Sequence, residues 1–256
     1  MKNARPPVDA SDKDRIASPA GPIVGVACGQ GWLVVEKPCG LSIHNDPGRD
    51  LCSLILAALQ CGWLPAVGES RHAVHAAHRL DRETSGIVLL AVDTEMLAWF
   101  GGQFAARTAR KRYLAVVHGP IDEPFAGGRW HSWRWPLTAT AGGRRDPMGK
   151  GRRLACTTRW RLLDHSRHYA LVQCEPLTGR KHQIRRHAKL AGHPVVGDRR
   201  YGSTRSREVL VRQYQFDRLG LHAHTLGIQL PGESMATEFR SVGLPKAMQQ
   251  LLAADR

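Results

Sequence analysis

Short apolar runs and stretches of helical spacing follow one another along most of this 256-residue chain. Runs of strand length predict β-strands at 23–27, 32–36, 86–92, 111–118, 154–163, 168–175 and 221–230. Apolar residues at helical spacing predict helices over 51–61 and 93–106, and a third helix that starts near Arg180. Because strands and helices alternate irregularly, we expect an α+β fold in which helices flank a mixed, mainly antiparallel sheet.

The second predicted helix has the clearest start and the clearest buried face. Asp93 or Thr94 can cap it, since a side-chain oxygen at that position can accept a hydrogen bond from a free backbone N–H of the first turn. The apolar residues that share one face are Met96, Leu97, Phe100 and Phe104. We expect the helix to pack on the sheet through this face.

Two segments lack these periods. Residues 1–20 are polar and rich in Pro, Ala and Asp, so we expect a disordered leader, with residues 21–256 forming one ordered domain. Residues 122–153 are rich in Gly, Trp and Arg, which is typical of a long surface insertion. Its tryptophans either pack as a local core or offer surfaces on which bases stack. They are Trp130, Trp133 and Trp135.

The composition adds a strong positive charge. The chain has 37 Lys and Arg residues against 22 Asp and Glu, which gives a formal net charge of +15. A field of this sign attracts polyanions, so RNA, DNA and anionic membranes are the partner classes to consider, with a GC-rich coding bias as the alternative source of the arginines. No apolar run reaches the ~20 residues of a membrane span, and we expect a cytoplasmic protein. Its six cysteines form no C-x-x-C pair and are expected to be reduced and mostly buried.

Several catalytic signatures are absent from the sequence. It lacks the H-x-E and P-C-x-x-C pair of zinc deaminases, the H-E-x-x-H of metalloproteases and the G-x-S-x-G elbow of serine hydrolases. Residues 143–150 resemble a phosphate loop, but the glycine spacing is one residue too long and Gly151 replaces the Ser or Thr that would hold magnesium. His72, His75 and His78 could share a helix face, yet no carboxylate or cysteine partner is suitably spaced. We therefore expect no metal and no cofactor.

One segment places a carboxylate among cations, directly before a strand that is expected to be buried. This aspartate block is 78–86, HRLDRETSG, with Asp81 at its centre. An isolated aspartate in such a place is usually a cap or a turn residue.

Further blocks accompany it along the chain. They are the lysine-proline block (36–44, EKPCGLSIH), the tyrosine block (111–119, KRYLAVVHG), the arginine block (176–187, PLTGRKHQIRRH), its continuation at 192–202 and the closing strand at 221–223. In this order the blocks resemble the RluA family of pseudouridine synthases, over about residues 22–240.

The resemblance implies the pseudouridine synthase fold, with a central active-site cleft in a catalytic domain at 21–256. It implies an isomerase that converts specific uridines in ribosomal or transfer RNA to pseudouridine. The reaction breaks the carbon–nitrogen glycosidic bond, turns the uracil and rejoins it through a ring carbon, so it needs no redox cofactor, metal or ATP. The family assigns catalysis to the residue at Asp81, which could attack the ribose, add to the uracil ring or abstract a ribose proton.

The resemblance implies two more catalytic residues. Arg185 is expected to pair with Asp81 and keep its carboxylate ionised in a water-poor pocket. The alternative is a phosphate contact, because other cations lie nearby in the sequence. These are Arg180, Lys181, Arg186 and Lys189. Tyr113 could stack on the uracil and move a proton, although a tyrosine in an alternating strand is by itself more typical of a core.

Several residues are expected to bind the substrate, whose target uridine must leave its stack to be reached. Arg79 either fills the vacated space or contacts a phosphate. Lys37 and His44 either shape the cleft and hold the backbone or are solvated turn residues. The arginine block contributes Arg180, His182 and Gln183.

Two other functions stay open at this point. The same fold could bind RNA without catalysis, and a nucleosidase or glycosidase could use paired carboxylates, although Asp81 and Glu83 alternate in direction. Many family members carry an additional N-terminal RNA-binding module, and only about 20 residues precede the catalytic region here. We therefore expect substrate choice to come from the catalytic domain, with 127–153 as the candidate segment, in a monomer that binds RNA and no membrane.

Overall fold

The computed structural model describes residues 15–68, 73–121 and 128–256. The chain divides into two compact units. The first comprises Met1–Arg110 and Ala223–Gly243, and the second comprises Lys111–His222 and Leu244–Arg256. The single domain predicted from the sequence thus contains two such units.

The described residues form short strands and five α-helices. In chain order the strands are β1 (Arg15–Ile16), β2 (Ile23–Gly29), β3 (Trp32–Lys37), β4 (His75–Ala76), β5 (Ser85–Ala91), β6 (Arg110–His118), β7 (His131–Trp133), β8 (Leu137–Thr138), β9 (Arg153–Leu154), β10 (Thr158–His165), β11 (Tyr169–Pro176), β12 (Leu221–Gln229) and β13 (Ala236–Arg240). The helices are α1 (Leu51–Gln60), α2 (Thr94–Ala106), α3 (Gln183–Leu190), α4 (Thr204–Tyr214) and α5 (Lys246–Ala254). The predicted α+β class is confirmed, and each predicted strand or helix overlaps an observed one.

The first unit contains antiparallel strands packed against α2. β1 pairs with β2, β2 with β3, β3 with β5 and β12 with β13. Every residue of β5 is buried, which explains its unbroken apolar sequence. Phe100 of α2 joins Ile87 and Leu89 of β5 in one apolar cluster. Asp93 caps this helix as predicted, accepting a hydrogen bond from the Met96 N–H at 2.7 Å.

The second unit contains an antiparallel sheet that is covered on both faces. Its strand order is β6, β11, β10 and β7. Ala115 and Val117 of β6 share an apolar cluster with Ile184 and Ala188 of α3, while Val116 between them belongs to a second cluster formed with α4 and α5. Because neighbouring side chains of a strand point to opposite faces, one strand contributes to two cores.

A buried carboxylate near the C-terminus ties α5 to the rest of the second unit. Asp255 accepts hydrogen bonds from Ser166 Oγ at 2.6 Å, from the His168 N–H at 2.7 Å and from the Tyr214 hydroxyl at 3.0 Å. Burial by itself raises the pKa of Asp255, but the hydrogen bonds from Ser166 and His168 outweigh it and lower the pKa to about 2.

The structure corrects the predicted start of the ordered chain and part of the predicted insertion. Order begins before Gly21, because β1 already pairs with β2; residues 1–14 lie outside the described part. In the insertion β7 pairs with β10, and Trp133 is 5% exposed with its ring stacked on Trp160 at 5.2 Å between centroids. The local-core alternative therefore holds for Trp133, whereas Trp135 is 37% exposed. Residues 122–127 lie outside the described part.

The shared helix face of the three histidines is also wrong. His75 lies in β4, where it pairs with β5, and His78 lies in the bend that follows. His78 Nε2 accepts the Leu89 N–H at 3.1 Å, so this ring supports the sheet. His72 lies outside the described residues.

All six cysteines lie in the described residues, and none is disulfide-bonded. Burial is less complete than predicted. Cys28, Cys156 and Cys174 are buried, Cys39 and Cys52 are half-buried and Cys61 is exposed.

Replacing Gly86 by alanine should destabilise the first unit. Gly86 has φ +111°, and a Cβ atom there would lie 2.2 Å from the backbone oxygen of Ala223. Strain and overlap together should lower the free energy of unfolding by about 2–4 kcal/mol in urea denaturation. Gly102→Ala is the control, since Gly102 lies inside α2 with open space around it and should gain about 0.5–1 kcal/mol. Equal stability of the Gly86→Ala variant and the parent would contradict the close approach.

The hydrogen bonds of Asp255 predict a loss of stability in acid. Its folded pKa lies below the unfolded value of about 3.9, so the stabilisation is complete above that value and disappears as the pH falls through about 2. Asp255→Asn should unfold more easily than the parent at pH about 6, by about 2–3 kcal/mol, and should show a flatter acid limb. Urea unfolding at a series of pH values measures both. Asp217→Asn, at an exposed ion pair, should keep the parent's limb, and the same acid limb in Asp255→Asn as in the parent would contradict the assignment.

Candidate active site

The aspartate block and the lysine-proline block are joined by hydrogen bonds in the first unit. The Gly40 N–H donates to the Arg82 carbonyl, and Arg82 Nε donates back to the Gly40 carbonyl, both at 2.9 Å. The Cys39 thiol lies 2.9 Å from the Glu83 carbonyl oxygen. Two blocks that lie some forty residues apart in sequence thus form one structure around Asp81.

Lys37 connects the backbones of these two blocks. Its side chain is fully buried, and its ammonium donates to the carbonyls of Pro38 and Leu41 at 2.9 Å and of Arg82 at 3.1 Å. A buried ammonium is costly unless carbonyl or carboxylate oxygens replace its water. Lys37 is therefore a positioning residue that fixes the backbone of both blocks, rather than a group exposed to a substrate.

Asp81 lies in a turn whose following residues are buried. The Thr84 N–H donates to the Asp81 carbonyl at 3.0 Å, and Thr84 and Ser85 are buried as the chain enters β5. The Asp81 side chain is itself half-buried. The turn thus fixes the backbone of Asp81 and leaves its carboxylate partly accessible to solvent.

Two residues predicted to bind the substrate, Arg79 and His44, differ in exposure from Lys37, as does Arg82 beside Asp81. Arg79, Arg82 and His44 are all exposed. Arg82 lies 3.5 Å from Asp46 in an ion pair that is open to solvent and so weakly stabilising. The exposed side chains of Arg79 and His44 can be reached by a nucleic acid, which is compatible with both alternatives for Arg79.

Tyr113 lies in β6 of the second unit, opposite Cys174 of β11. Its ring is half-buried and packs against the apolar cluster that includes Ala115 and Ile184. The core interpretation of Tyr113 therefore accounts for one part of the ring, and the other part is accessible.

Arg185, in the arginine block, is buried and forms an ion pair with a buried carboxylate. Its Nε and Nη2 donate to the two carboxylate oxygens of Asp198 at 2.7 and 2.8 Å, and its guanidinium lies 5.5 Å from the centre of the Tyr201 ring. Arg185 is 2% exposed and Asp198 is 1% exposed. Such a two-pronged contact fixes the guanidinium plane as well as its position.

Asp198 stays ionised in this buried setting. Burial by itself raises the pKa of Asp198, but the hydrogen bonds and charge of Arg185, with the backbone N–H groups of Tyr201 and Arg200, hold the pKa below its usual range. Both N–H groups donate to one carboxylate oxygen at 2.9 Å.

The phosphate alternative for Arg185 does not agree with its burial. Arg186 beside it is fully buried as well, and α3 begins only at Gln183, so Arg180 and Lys181 precede the helix. The predicted pairing of Arg185 with Asp81, a residue of the other unit, stays a prediction.

Gln183 and His182 hold the backbone at the start of α3. Gln183 is 4% exposed; its Oε1 accepts from Thr178 Oγ1 at 2.7 Å and from the Arg180 N–H at 3.1 Å, while its Nε2 donates to Thr158 Oγ1 at 3.0 Å. His182 has φ 55°, and its Nδ1 lies 3.0 Å from the Tyr201 hydroxyl. Of the three substrate-binding residues predicted here, the structure makes Gln183 a structural residue.

Sequence analysis gave no role to Asp198, Tyr201 or the second arginine, Arg186. Asp198 was visible as a carboxylate within the continuation of the arginine block, and a buried arginine needs such a partner. The need of a buried arginine for a carboxylate could have identified Asp198 as the partner of Arg185, but the burial of Arg185 is not visible in the sequence.

Known proteins resemble this chain over most of its length. The sequence profile described as "RNA pseudouridylate synthase" matches residues 31–190, which include Asp81, Tyr113 and Arg185. YlyB of Bacillus subtilis (strain 168), named an uncharacterized RNA pseudouridine synthase, is 31% identical over 87% of this chain and 69% of that protein.

Two relatives are named for the large ribosomal subunit. Ribosomal large subunit pseudouridine synthase D of Zymomonas mobilis is 30% identical over 86% of this chain and 68% of its own. Ribosomal large subunit pseudouridine synthase C of Vibrio parahaemolyticus is 32% identical over 78% of this chain and 59% of its own.

Solved structures confirm the fold. Human RNA pseudouridylate synthase domain containing 1 superposes with a TM-score of 0.65 at 23% identity, covering 91% of this chain and 94% of that one. Human RNA pseudouridylate synthase domain containing 4 gives 0.62 at 24% identity, covering 88% and 90%.

Removing the carboxylate of Asp198 should strongly destabilise the second unit. Asp198→Asn removes the carboxylate charge that pairs with the buried guanidinium of Arg185 through two hydrogen bonds, so the free energy of unfolding should fall by about 3–5 kcal/mol. Asp217→Asn is the matched control, because Asp217 pairs with Arg199 at 3.1 Å with both side chains more than half exposed, and should cost less than about 1 kcal/mol. Thermal and urea unfolding of the three proteins test this, and equal losses in the two variants would be incompatible with a buried pair.

Proposed function

The chain belongs to the RNA pseudouridylate synthase family, and on that premise we propose that it isomerises specific uridines of ribosomal RNA with Asp81 as the catalytic carboxylate. Membership makes the reaction class that of an RNA isomerase. The observation that carries the proposal is the turn at Asp81. Asp81 and Glu83 are the two carboxylates of the aspartate block. Asp81 lies in a hydrogen-bonded turn that leads into buried residues, and its own side chain is partly accessible.

Ribosomal RNA is the substrate class that the relatives support. The relatives from Zymomonas and Vibrio carry the large ribosomal subunit in their names. We extend that class to this chain because the similarity covers more than three quarters of it. Transfer RNA, which the sequence left open, is the other outcome that the experiment below distinguishes.

The reaction asks three things of the protein. A carboxylate must assist cleavage of the glycosidic bond, the freed uracil must be held while it turns, and a proton must leave the ring carbon that forms the new bond. Asp81 supplies the first by attack on the ribose, addition to the ring or abstraction of a ribose proton. Tyr113 supplies an accessible part of a ring for stacking and a phenol for the proton.

The arginine block contributes through electrostatics. A carboxylate in a water-poor site loses its charge unless a fixed cation is near, and Arg185 is a cation whose position is fixed by Asp198. We propose that Arg185 is the cation that serves the catalytic carboxylate. Arg79, which is exposed, then fills the space left by the flipped uridine.

Among the described residues no helix is long and apolar enough to cross a membrane. The monomeric state and the cytoplasmic location stay predictions, as does the central cleft.

Asp81→Asn tests the proposal, because the amide has nearly the same shape but is neither a nucleophile nor a base. Pseudouridine formation in unmodified large-subunit ribosomal RNA should fall by at least about a thousandfold, with RNA affinity and thermal stability close to the parent's. Asp217→Asn should turn over at the parent rate. Full activity of Asp81→Asn would overturn the assignment, and pseudouridine in transfer RNA alone would overturn the choice of substrate.

The same assay separates the remaining functions. An isomerase releases no free uracil, whereas a nucleosidase does, and an RNA-binding module changes no nucleotide. Glu83→Gln completes the comparison, since a pair of carboxylates acting together would lose activity with either substitution. Retained activity in Glu83→Gln is the expected result.

A further inference from the structure

The cationic half of the predicted insertion forms a compact structure of its own. β8 and β9 pair with Leu137 opposite Leu154 and Thr138 opposite Arg153, and the residues between the two strands form the connecting loop. We call residues 137–154 the basic ribbon. It is the part of the Trp- and Arg-rich segment that does not enter the main sheet of the second unit.

Arg186 anchors the basic ribbon from α3. Its guanidinium is fully buried and donates to the carbonyls of Pro147 and Met148 and to both the carbonyl and the hydroxyl of Thr138, the last two at 3.0 Å. Because carbonyl oxygens rather than a phosphate satisfy this guanidinium, Arg186 orders the loop instead of binding an anion.

Further contacts close the loop. Arg200 donates to the carbonyls of Gly142 and Ala141 at 2.8 and 3.2 Å. Gly149 has φ +82°, and a Cβ atom there would lie 2.1 Å from Thr138 Oγ1, so the loop packs as closely as its backbone allows. The basic ribbon is thus a preformed surface.

What the ribbon presents to solvent is almost wholly positive. Its five cations are exposed. They are Arg144, Arg145, Lys150, Arg152 and Arg153. Its one carboxylate, Asp146, is occupied within the loop, accepting the Gly149 N–H at 3.1 Å. Among the described residues none of the five cations forms an ion pair with a carboxylate.

We propose that the basic ribbon is an RNA-binding surface that contacts backbone phosphates of the substrate outside the reacting uridine. The proposal rests on the proposed function for the identity of the polyanion. Five exposed cations on a fixed loop match a phosphate backbone, whose charges are regularly spaced, because the loop that carries them has little backbone freedom left to lose on binding. Trp133, one of the tryptophans that could have offered a stacking surface, is part of the core.

The experiment compares two charge-matched double variants. Arg144→Gln with Arg145→Gln removes two charges from the basic ribbon, and Arg205→Gln with Arg212→Gln removes two exposed charges from α4 of the same unit. The probe is an oligouridylate of about twenty nucleotides, titrated over a range of salt concentrations, with thermal unfolding to verify the fold. Turnover is measured on unmodified large-subunit ribosomal RNA.

The ribbon variant should bind about tenfold more weakly near physiological salt, and its log-log salt slope should be shallower by about 1.4, since each lost contact removes about 0.7. The α4 variant should bind within about twofold of the parent. Equal losses in both variants, or no loss in the ribbon variant, would overturn the proposal. A parent that binds RNA through the ribbon but makes no pseudouridine would overturn the proposed function and leave the ribbon assignment standing.

Discussion

A buried cation must be paired, and that requirement organises the second unit. Arg185 and Arg186 are neighbours on α3, and both are buried. Their guanidinium groups form hydrogen bonds with different parts of the unit. Arg185 takes the carboxylate of Asp198, which fixes the turn that leads to Tyr201, while Arg186 takes carbonyls of the basic ribbon. Exchanging either partner for a group without oxygens would leave a guanidinium uncompensated in the interior. One short helix therefore sets the position of two separate loops.

The first unit uses the same device with a lysine. The ammonium of Lys37 donates its hydrogen bonds to backbone carbonyls near Asp81, so it is not available to a phosphate. A net charge of +15 thus overstates the charge available to RNA, since part of it is structural. One group of cations is structural: Lys37, Arg185 and Arg186 are buried, and the exposed Arg82 and Arg200 also donate to backbone carbonyls. The second group, the five cations of the basic ribbon, is in water. Electrostatic attraction is carried by the second group.

Periodicity predicted the longer elements because their burial repeats with the backbone. Asp93 caps α2 and β5 is almost entirely apolar, and both features are visible in the sequence. Elements of two or three residues, such as β4 and β7, hold no full period, and tertiary pairing creates them. The site followed the same division. Asp81, Tyr113 and Arg185 came from sequence blocks, whereas the structural role of Gln183 and the partner Asp198 depend on burial, which a pattern of polar residues does not reveal.

Phosphate contacts carry affinity but no sequence information, which limits what the basic ribbon can contribute. All uridines have the same base, so neither the ribbon nor a pocket for uracil distinguishes one from another. Selection must then come from where the RNA backbone can lie when one uridine is turned out of its stack. A rigid ribbon favours such selection, because fixed charges bind tightly only to RNA folds whose phosphates lie at matching positions. Under the proposed role of the basic ribbon, its anchoring by Arg186 and Arg200 therefore serves selectivity as well as binding.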